Sequence, residues 1–467
     1  MRRASQAVAA LVVAGAGLVA ERAHADCGVD RPTDPGGYAG YAYGTAEVAS
    51  FATAEGHVRV WWAKSGPNAP LLTSTRADGV PDRVALTGRE AEAALAFYQT
   101  LGYRPPVSDG GTCAAGGDDK IDVYLVNMTG SDGLTLAERC ATKGKVQTCT
   151  GALLVENDYG GRGYKNFEEG AKTVVPHEMF HLVQNAYHAG LDHWFSEGTA
   201  QWATKKLHPE LGDLERFLPE FFSQLERPID VPPGGVVAGY LYGSAVFPVF
   251  LDEAYGKDTV REVFEQLGST GSTVLAATDA VMIARGKDLA TAYGLFAQWN
   301  LATGSLANGV GYSSAAKYPT PTIHDAAPVP FRLDVVSAGL SSRYYRVQGP
   351  AKLTLETDPA RNQAFVVPVI DGKPDLQKGA ALPARLEGEG IVIVTGRSPL
   401  KTDAPFTLVA EVPTADPTPN PPADTAASKG CSIATAGPDS GAPLALLLAP
   451  LALALRSRRR RCIVRDA

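Results

Sequence analysis

Two histidines and a glutamate lie close together in the segment Pro176–His181, PHEMFH. Residues four apart are neighbours on a helix, so His177 and His181 can direct their imidazole nitrogens to one point. Glu178 is rotated by about 100° around the helix axis, which places its carboxylate beside that point. Two imidazoles and an adjacent carboxylate are parts of a catalytic zinc centre. The segment therefore predicts Zn²⁺ binding, with Glu178 as general base.

A catalytic zinc ion takes three protein ligands and leaves one position for water. The best third candidate is Glu197, within Trp194–Trp202, WFSEGTAQW, on a second predicted helix after a loop at Gly190. Two antiparallel helices would bring the Glu197 carboxylate back to the histidines. His193 and Asp192 are nearer in sequence but lie in the loop, so we favour Glu197.

Other histidine arrangements are less suitable. His188 lies seven residues beyond His181, roughly 10 Å along a helix axis, which is too far to share the ion. We expect it to be a surface or packing residue. The metzincin pattern would need glycine at position 184 and histidine at position 187. The chain has Gln184 and Tyr187 there, so that pattern is excluded.

The HExxH segment followed by Glu197 within W-x-x-E-G-x-A resembles the gluzincins, zinc peptidases of the MA clan. The chain is most similar to a myxobacterial group of secreted metalloproteases, and the likeness spans about residues 55–260. It includes three further segments, Asp78–Asp82, Gly117–Tyr124 and Tyr242–Gly256. The resemblance implies a zincin-like fold and peptidase activity.

Two residues depart from that pattern. Pro176 would start or kink the active-site helix within one turn of the first ligand. Gln201, four residues after Glu197, stands where some gluzincins carry an acidic residue that supports the ligands.

The predicted chemistry is hydrolysis of a protein or peptide substrate. Zn²⁺ would make a water molecule acidic near neutral pH, and Glu178 would accept its proton and pass it to the leaving amine. A further donor to the developing oxyanion is usual, and Tyr240, Tyr242 and His193 are the candidates.

Two other functions remain open. A non-catalytic, zinc-stabilised surface module for binding or adhesion would need the ligands but no base at position 178. Amidohydrolysis of cell-wall peptides would use the same metal chemistry.

At 20% charged residues and a net charge of −7, the chain lacks the basic character of nucleic-acid binders, so no nucleic-acid partner is expected.

The elements that position these residues change along the chain. Residues 57–62 and 121–126 are short runs of β-branched and aromatic residues that predict strands, with Trp61 and Trp62 in the core. Apolar residues at helical spacing predict a helix from Gly88 to Leu101.

From Asn166 to Phe296 the pattern is helical, with helices expected at Gly243–Ala254 and Thr259–Leu267. Residues 330–413 hold several short strand-like runs, which predict a small β-sandwich. With the resemblance, this predicts an α+β fold: a zincin-like catalytic domain, with an N-terminal β/α part and a mainly helical C-terminal part, followed by an all-β sandwich.

Because 467 residues exceed what one core usually serves, we expect several units. The expected boundaries are a signal peptide at 1–25, an N-terminal zincin subdomain at 26–208, a helical subdomain at 209–325, a β-sandwich at 326–412, a disordered Pro-rich linker at 413–430 and a C-terminal sorting segment at 431–467.

The N-terminal segment predicts export. Arg2 and Arg3 give a basic start, Val8–Val19 is an apolar stretch too short to span a bilayer, and Ala23-His24-Ala25 matches a signal-peptidase site.

The C-terminal segment predicts retention at the cell surface or outer envelope. Gly430-Cys431, an apolar run at Gly441–Leu455 and an arginine cluster at 456–461 resemble the myxobacterial sorting signal of the MYXO-CTERM type. The resemblance implies processing near Cys431, and the arginines would hold the inner end on the cytoplasmic side of the membrane.

Four of the six cysteines, Cys27, Cys113, Cys140 and Cys149, lie in the part that would be exported, where oxidation favours disulfides. We favour pairing of Cys140 with Cys149, which leaves Cys27 with Cys113.

Asp78 and Asp82 flank a Gly-Val-Pro turn and are candidates for Ca²⁺ binding. A calcium ion needs six or more oxygen ligands, so we favour a carboxylate-rich turn.

Overall fold

The computed structural model describes residues 29–110, 118–235 and 237–414. The predicted signal peptide, Cys27, Cys113, the predicted sorting segment and nearly all of the predicted linker lie outside the described residues. The chain divides into two compact units, Met1–Pro413 and Thr414–Ala467, and every element below belongs to the first.

A five-stranded mixed sheet forms the N-terminal part. Its strands are β1 (Val48–Ala52), β2 (Val58–Ala63), β3 (Ile121–Val126), β4 (Gly133–Lys143) and β5 (Val146–Glu156), in the order β1-β2-β3-β5-β4. The three central strands are parallel, whereas β1 and β4 are antiparallel edges. Both strands predicted from the sequence, β2 and β3, are confirmed. The β4–β5 hairpin was not predicted.

The helix α1 (Asp82–Thr100) connects β2 to β3 and begins at Asp82 rather than at Gly88. Pro81 precedes it, and an acidic residue in the first turn complements the partial positive charge of a helix N-terminus. Pro81 and Asp82 therefore explain why α1 begins six residues before the predicted start. Trp61 and Trp62 are buried, as expected.

Eight further α-helices follow within the described residues, and Asn166 caps the first through a hydrogen bond from the Glu169 amide. They are α2 (Phe167–Asn185), α3 (His193–Leu207), α4 (Asp213–Phe222), α5 (Ala238–Gly243), α6 (Val246–Tyr255), α7 (Thr259–Thr270), α8 (Val274–Ala284) and α9 (Leu289–Leu301). The single helix expected at Gly243–Ala254 is wrong at its start, because α5 ends at Gly243 and α6 begins at Val246.

The C-terminal part contains two sheets. The strands are β6 (His324–Asp325), β7 (Phe331–Ala338), β8 (Ser342–Gln348), β9 (Ala351–Thr357), β10 (Asn362–Ile370), β11 (Lys373–Pro374), β12 (Ala380–Ala381), β13 (Ala384–Leu386), β14 (Glu389–Gly396) and β15 (Asp403–Glu411). Six strands follow the order β11-β10-β14-β8-β6, with β12 beside β10, and four follow β13-β9-β15-β7. Both sheets contribute to one buried cluster, which includes Tyr345, Val392, Leu353 and Phe406.

The six-stranded sheet also packs against the helices. Tyr344, Val367, Ile391 and Ile393 belong to the main core together with residues of the helices. The Tyr344 hydroxyl donates a hydrogen bond to the carbonyl of Ala297 in α9 at 3.0 Å. This sheet is therefore a middle layer between helices and the four-stranded sheet.

The α+β class is confirmed. The predicted disulfide between Cys140 and Cys149 is also confirmed, and it crosslinks β4 to β5.

Within the described ranges, no single helix has the length and apolar character to cross a membrane, although α7 and α8, bent by 118°, meet that criterion as a pair.

The carboxylates considered for calcium organise a surface turn. Asp78 accepts hydrogen bonds from the Arg76 guanidinium at 2.5 Å and from the Val80 amide at 3.1 Å. Asp82 accepts from the amide and the hydroxyl of Thr75, both at 3.0 Å. These contacts support the turn interpretation.

Candidate metal centre

Two neighbouring helices bring three potential ligands to one point. His177 and His181 lie on α2, and Glu197 lies on α3. The His177 Nε2 atom is 3.0 Å from Glu197 Oε2 and 3.1 Å from His181 Nε2, and the third separation, His181 Nε2 to Glu197 Oε2, is 3.4 Å. Among the described residues, this is the one group of three or more potential ligands that meets at a point.

The spacing of these atoms fits a bound divalent ion. An ion that lies about 2.0–2.1 Å from each of its ligands in a tetrahedron holds those ligands about 3.3 Å apart. The three observed separations bracket that value. Two imidazole nitrogens and one carboxylate oxygen suit Zn²⁺, although other divalent transition metals accept the same donors.

Close packing of α3 against α5 holds Glu197 in place. A Cβ atom at Gly198 would lie 2.4 Å from Ser244 Oγ, so glycine allows the two segments to approach. The Ser244 hydroxyl donates a hydrogen bond to the carbonyl of Trp194 at 2.5 Å. Trp194 is 1% exposed, so this end of α3 is fixed in the core.

Gln184 orients one of the imidazoles, and the sequence did not reveal it. His181 Nδ1 donates a hydrogen bond to Gln184 Oε1 at 2.8 Å, which leaves Nε2 free for a metal ion. Gln184 Nε2 donates in turn to the carbonyl of Ser196 at 2.8 Å and to Thr199 Oγ1 at 3.0 Å. One side chain thus joins α2 to α3 beside the ligands. Residues three apart on a helix are neighbours, so the position of Gln184 three residues after His181 could have indicated this contact.

Replacing Gln184 with alanine should weaken metal binding without abolishing it. Loss of a residue that orients a ligand typically costs about 10–100-fold in metal affinity. We expect a loss in this range for Zn²⁺, measured by competition with a chromophoric chelator. Asn185→Ala is the matched control on the next residue of α2 and should bind as the parent does. Equal affinities for both variants would exclude the orienting role.

The strand β4 positions Glu178. The Thr135 hydroxyl donates to Glu178 Oε2 at 2.7 Å and also contacts the Glu178 carbonyl at 2.9 Å. At Gly133, a Cβ atom would lie 2.6 Å from Glu178 Oε1 and from Val174 Cγ1. The absence of a side chain at residue 133 therefore leaves room for the Glu178 carboxylate in this position. Neither Gly133 nor Thr135 was identified from the sequence.

The three candidates for an oxyanion donor are in different surroundings. The ring centroid of Tyr242 is 5.5 Å from that of His177. Tyr240 is 1% exposed, and its hydroxyl donates to the carbonyl of Ile229 at 2.9 Å. Two residues on a helix are about 200° apart, so Tyr240 points away from the ligands and is a packing residue. His193 lies on the surface beside the ligands.

Cavities flank the ligands on both sides. The His177-side cavity, of about 280 Å³, is lined by residues that include Asp132, Tyr164, Asp213 and Phe217. The His181-side cavity, of about 410 Å³, is lined by residues that include Leu134, His188, Leu191 and His193. Gly133, Glu178 and Tyr242 line both cavities. Glu178 therefore lies where the two cavities adjoin, and the two cavities together are called the cleft below.

The remaining sequence candidates have other partners. Asp192 lines a separate cavity, away from the ligands. His188 Nδ1 accepts a hydrogen bond from the Gln147 amide at 3.2 Å, which is a packing role. Gln201 Nε2 donates a hydrogen bond to the carboxylate of Asp213 in α4 at 2.6 Å. Pro176 lies inside α2 and does not start it.

The potential ligands His181 and Glu197 form an ion pair in the absence of a metal ion. Burial disfavours a charged His181, but the negative charge of Glu197 and its hydrogen bond raise the pKa of His181 to about 9. Burial would raise the pKa of Glu197, but His181 and His177 hold that pKa well below its usual range. Near neutral pH a metal ion must therefore displace a proton from His181.

Metal affinity should consequently rise with pH. Below the pKa of about 9, each unit of increasing pH raises the deprotonated fraction of His181 about tenfold. The apparent Zn²⁺ affinity should therefore rise about tenfold per pH unit. Chelator competition at pH 6.5, 7.5 and 8.5 tests this slope. An affinity that is constant over this range would contradict the prediction.

Comparisons with known proteins add no functional assignment. No protein-family model and no curated protein sequence matches the chain. Among solved structures, one similar chain is PliG of Salmonella Typhimurium, a periplasmic inhibitor of g-type lysozyme. The two are 14% identical, and the match covers 20% of this chain and 100% of PliG with a TM-score of 0.15. A score this low carries no argument about fold or function.

Proposed function

We propose that the chain is a zinc-dependent endopeptidase with a gluzincin-type centre. The observation that carries this proposal is the convergence of His177, His181 and Glu197, with separations of 3.0–3.4 Å between their ligand atoms. The carboxylate of Glu178 stands beside them, is largely buried and is held by Thr135. A site that only stabilised the fold would need no such base.

Each residue has a role in this proposal. His177, His181 and Glu197 hold the ion, which when bound supplies Lewis acidity and makes water a stronger acid. Glu178 accepts a proton from the attacking water and returns it to the leaving amine. Tyr242 is the favoured donor to the oxyanion and His193 the second candidate, because both line the cleft.

The cleft suits an internal peptide bond. It extends on both sides of Glu178, so a substrate can continue in both directions. Within the described residues, no strand pairs with the outer edge of β4, and β4 lines the cleft through Leu134, Thr135 and Ala137. An extended substrate can add to such an edge through main-chain hydrogen bonds.

A zincin-like fold and export to the cell surface are part of the same proposal. The mixed sheet with an antiparallel edge strand beside the helix that carries HExxH supports the first. The N-terminal signal and the C-terminal sorting segment support the second.

Elemental analysis together with a casein assay tests the proposal. We expect one zinc ion per chain, and cleavage that stops with a chelator and returns with zinc. Bound zinc without cleavage of casein or of a peptide library would contradict the endopeptidase assignment and favour a zinc-stabilised binding module. Cleavage that is insensitive to chelation would exclude the metal mechanism.

A further inference from the structure

The His177-side cavity has a composition that the proposed chemistry does not require. Three aromatic rings, those of Tyr164, Phe217 and Tyr242, line it together with the carboxylates of Asp132 and Asp213. The His181-side cavity contains no carboxylate besides Glu178 and Glu197. The two ends of the cleft therefore differ in composition: the His177 side adds two carboxylates and the guanidinium of Arg216, and the His181-side lining contains none of these three groups.

Both carboxylates are fixed but keep acceptor capacity. Asp132 accepts a hydrogen bond from the Tyr164 hydroxyl at 2.9 Å and lies 3.4 Å from an Arg162 nitrogen. Asp213 accepts from Gln201 at 2.6 Å. Their side chains are 26% and 12% exposed. Because a carboxylate has about four lone-pair positions, each can accept from a further cation.

Arg216 shows that the lining of the His177-side cavity can bind a cation. Its guanidinium carbon lies 4.7 Å from the ring centroid of Phe217 and 6.0 Å from that of Tyr164. A guanidinium nitrogen is 3.2 Å from Asp213 Oδ1. Aromatic faces and a carboxylate thus already hold one cation at the cavity wall. A long basic side chain would use the same features, with its aliphatic stem on the rings and its charge at the carboxylates.

The direction of β4 decides which substrate residue enters this cavity. The residues before β4, Gly130 to Asp132, line the His177-side cavity, whereas Leu134, Thr135 and Ala137 line the other. The strand therefore runs from the His177 side to the His181 side. Antiparallel strand pairs outnumber parallel ones about two- to threefold, so we take the substrate to pair antiparallel with β4 and to run in the opposite sense. The residue after the cleaved bond then lies on the His177 side.

We propose that the His177-side cavity selects substrates with lysine or arginine directly after the cleaved bond. The inference rests on the proposed peptidase function and names its substrate class. Asp132 and Asp213 are the specificity-determining residues, and Arg216 competes with the substrate cation for Asp213.

Matched peptides that differ only at the residue after the cleaved bond test this inference. We expect kcat/KM to be about tenfold higher for lysine than for leucine, as charge-assisted hydrogen bonds allow. Asp213→Asn should lower this lysine-to-leucine ratio about tenfold, whereas Arg216→Ala should raise it. Asp334→Asn, on the four-stranded sheet, is the control and should leave the ratio unchanged. Mass spectrometry of the products locates the bond.

A binding measurement separates this inference from the proposed function. The Glu178→Gln variant should bind the uncleaved lysine peptide about tenfold more tightly than the leucine peptide by calorimetry. Cleavage without a basic preference, or with lysine before the bond, would overturn the inference and leave the peptidase intact. Preferential binding of the lysine peptide without any cleavage by the zinc-loaded parent would support the cavity's selectivity and refute the peptidase.

Discussion

Replacing Glu178 with glutamine should reduce kcat by about 10³-fold, within the range that general-base catalysis contributes. The amide has nearly the same shape and can still contact the Thr135 hydroxyl, but it cannot accept a proton from water at neutral pH. Because Glu178 is not one of the three converging ligands, the variant should retain one zinc ion per chain. Peptide hydrolysis and elemental analysis of the same sample measure both quantities.

The Thr135→Val variant is the matched control for this experiment. It removes the hydrogen bond to Glu178 Oε2 and keeps the carboxylate, so its loss of kcat should be much smaller. A Glu178→Gln variant with unchanged turnover would eliminate the general-base role. A variant that lost its zinc would show that position 178 supports the metal instead.

Replacing Glu197 with alanine should remove the metal. Two imidazoles would remain, and even the loss of an orienting residue costs about 10–100-fold in affinity, so we expect more than a 100-fold loss of Zn²⁺ affinity. Activity should fall with it at limiting zinc. Competition with a chromophoric chelator measures the affinity, and circular dichroism checks that the fold is kept.

The nearest alternative ligands provide the controls. His193→Ala and Asp192→Ala should bind Zn²⁺ as the parent does, because neither side chain joins the converging group. Full affinity in Glu197→Ala, with loss in either of the other two, would refute the proposed ligand set. The gluzincin assignment would then have no support.

Short-range patterns allowed much of this site to be predicted. The spacing of His177 and His181 depends only on helical periodicity, and Glu197 depends on a second helix after a short loop. Both are local properties of the sequence. The strands β2 and β3 were likewise recognisable, because continuous runs of apolar and β-branched residues identify buried strands.

Contacts between distant segments could not be predicted in the same way. Thr135 reaches Glu178 across 43 residues of sequence, and nothing in either segment specifies that pairing. The hairpin that carries Thr135 was missed because the outer part of β4 is mostly exposed and has few apolar residues. Tyr240 and Tyr242 were equivalent as candidates until the helix α5, which is only six residues long, placed them on different faces.

The position of β15 affects how the protein would resist mechanical force. This strand precedes Pro413 and is paired with β7 on one edge and β9 on the other. If the following segment tethers the protein to the envelope, as proposed, tension would enter through a strand that is bonded along both sides. The hydrogen bonds to β7 and those to β9 would both bear the applied force. The force would therefore not act first on a strand at the edge of the sheet, which is bonded along one side only.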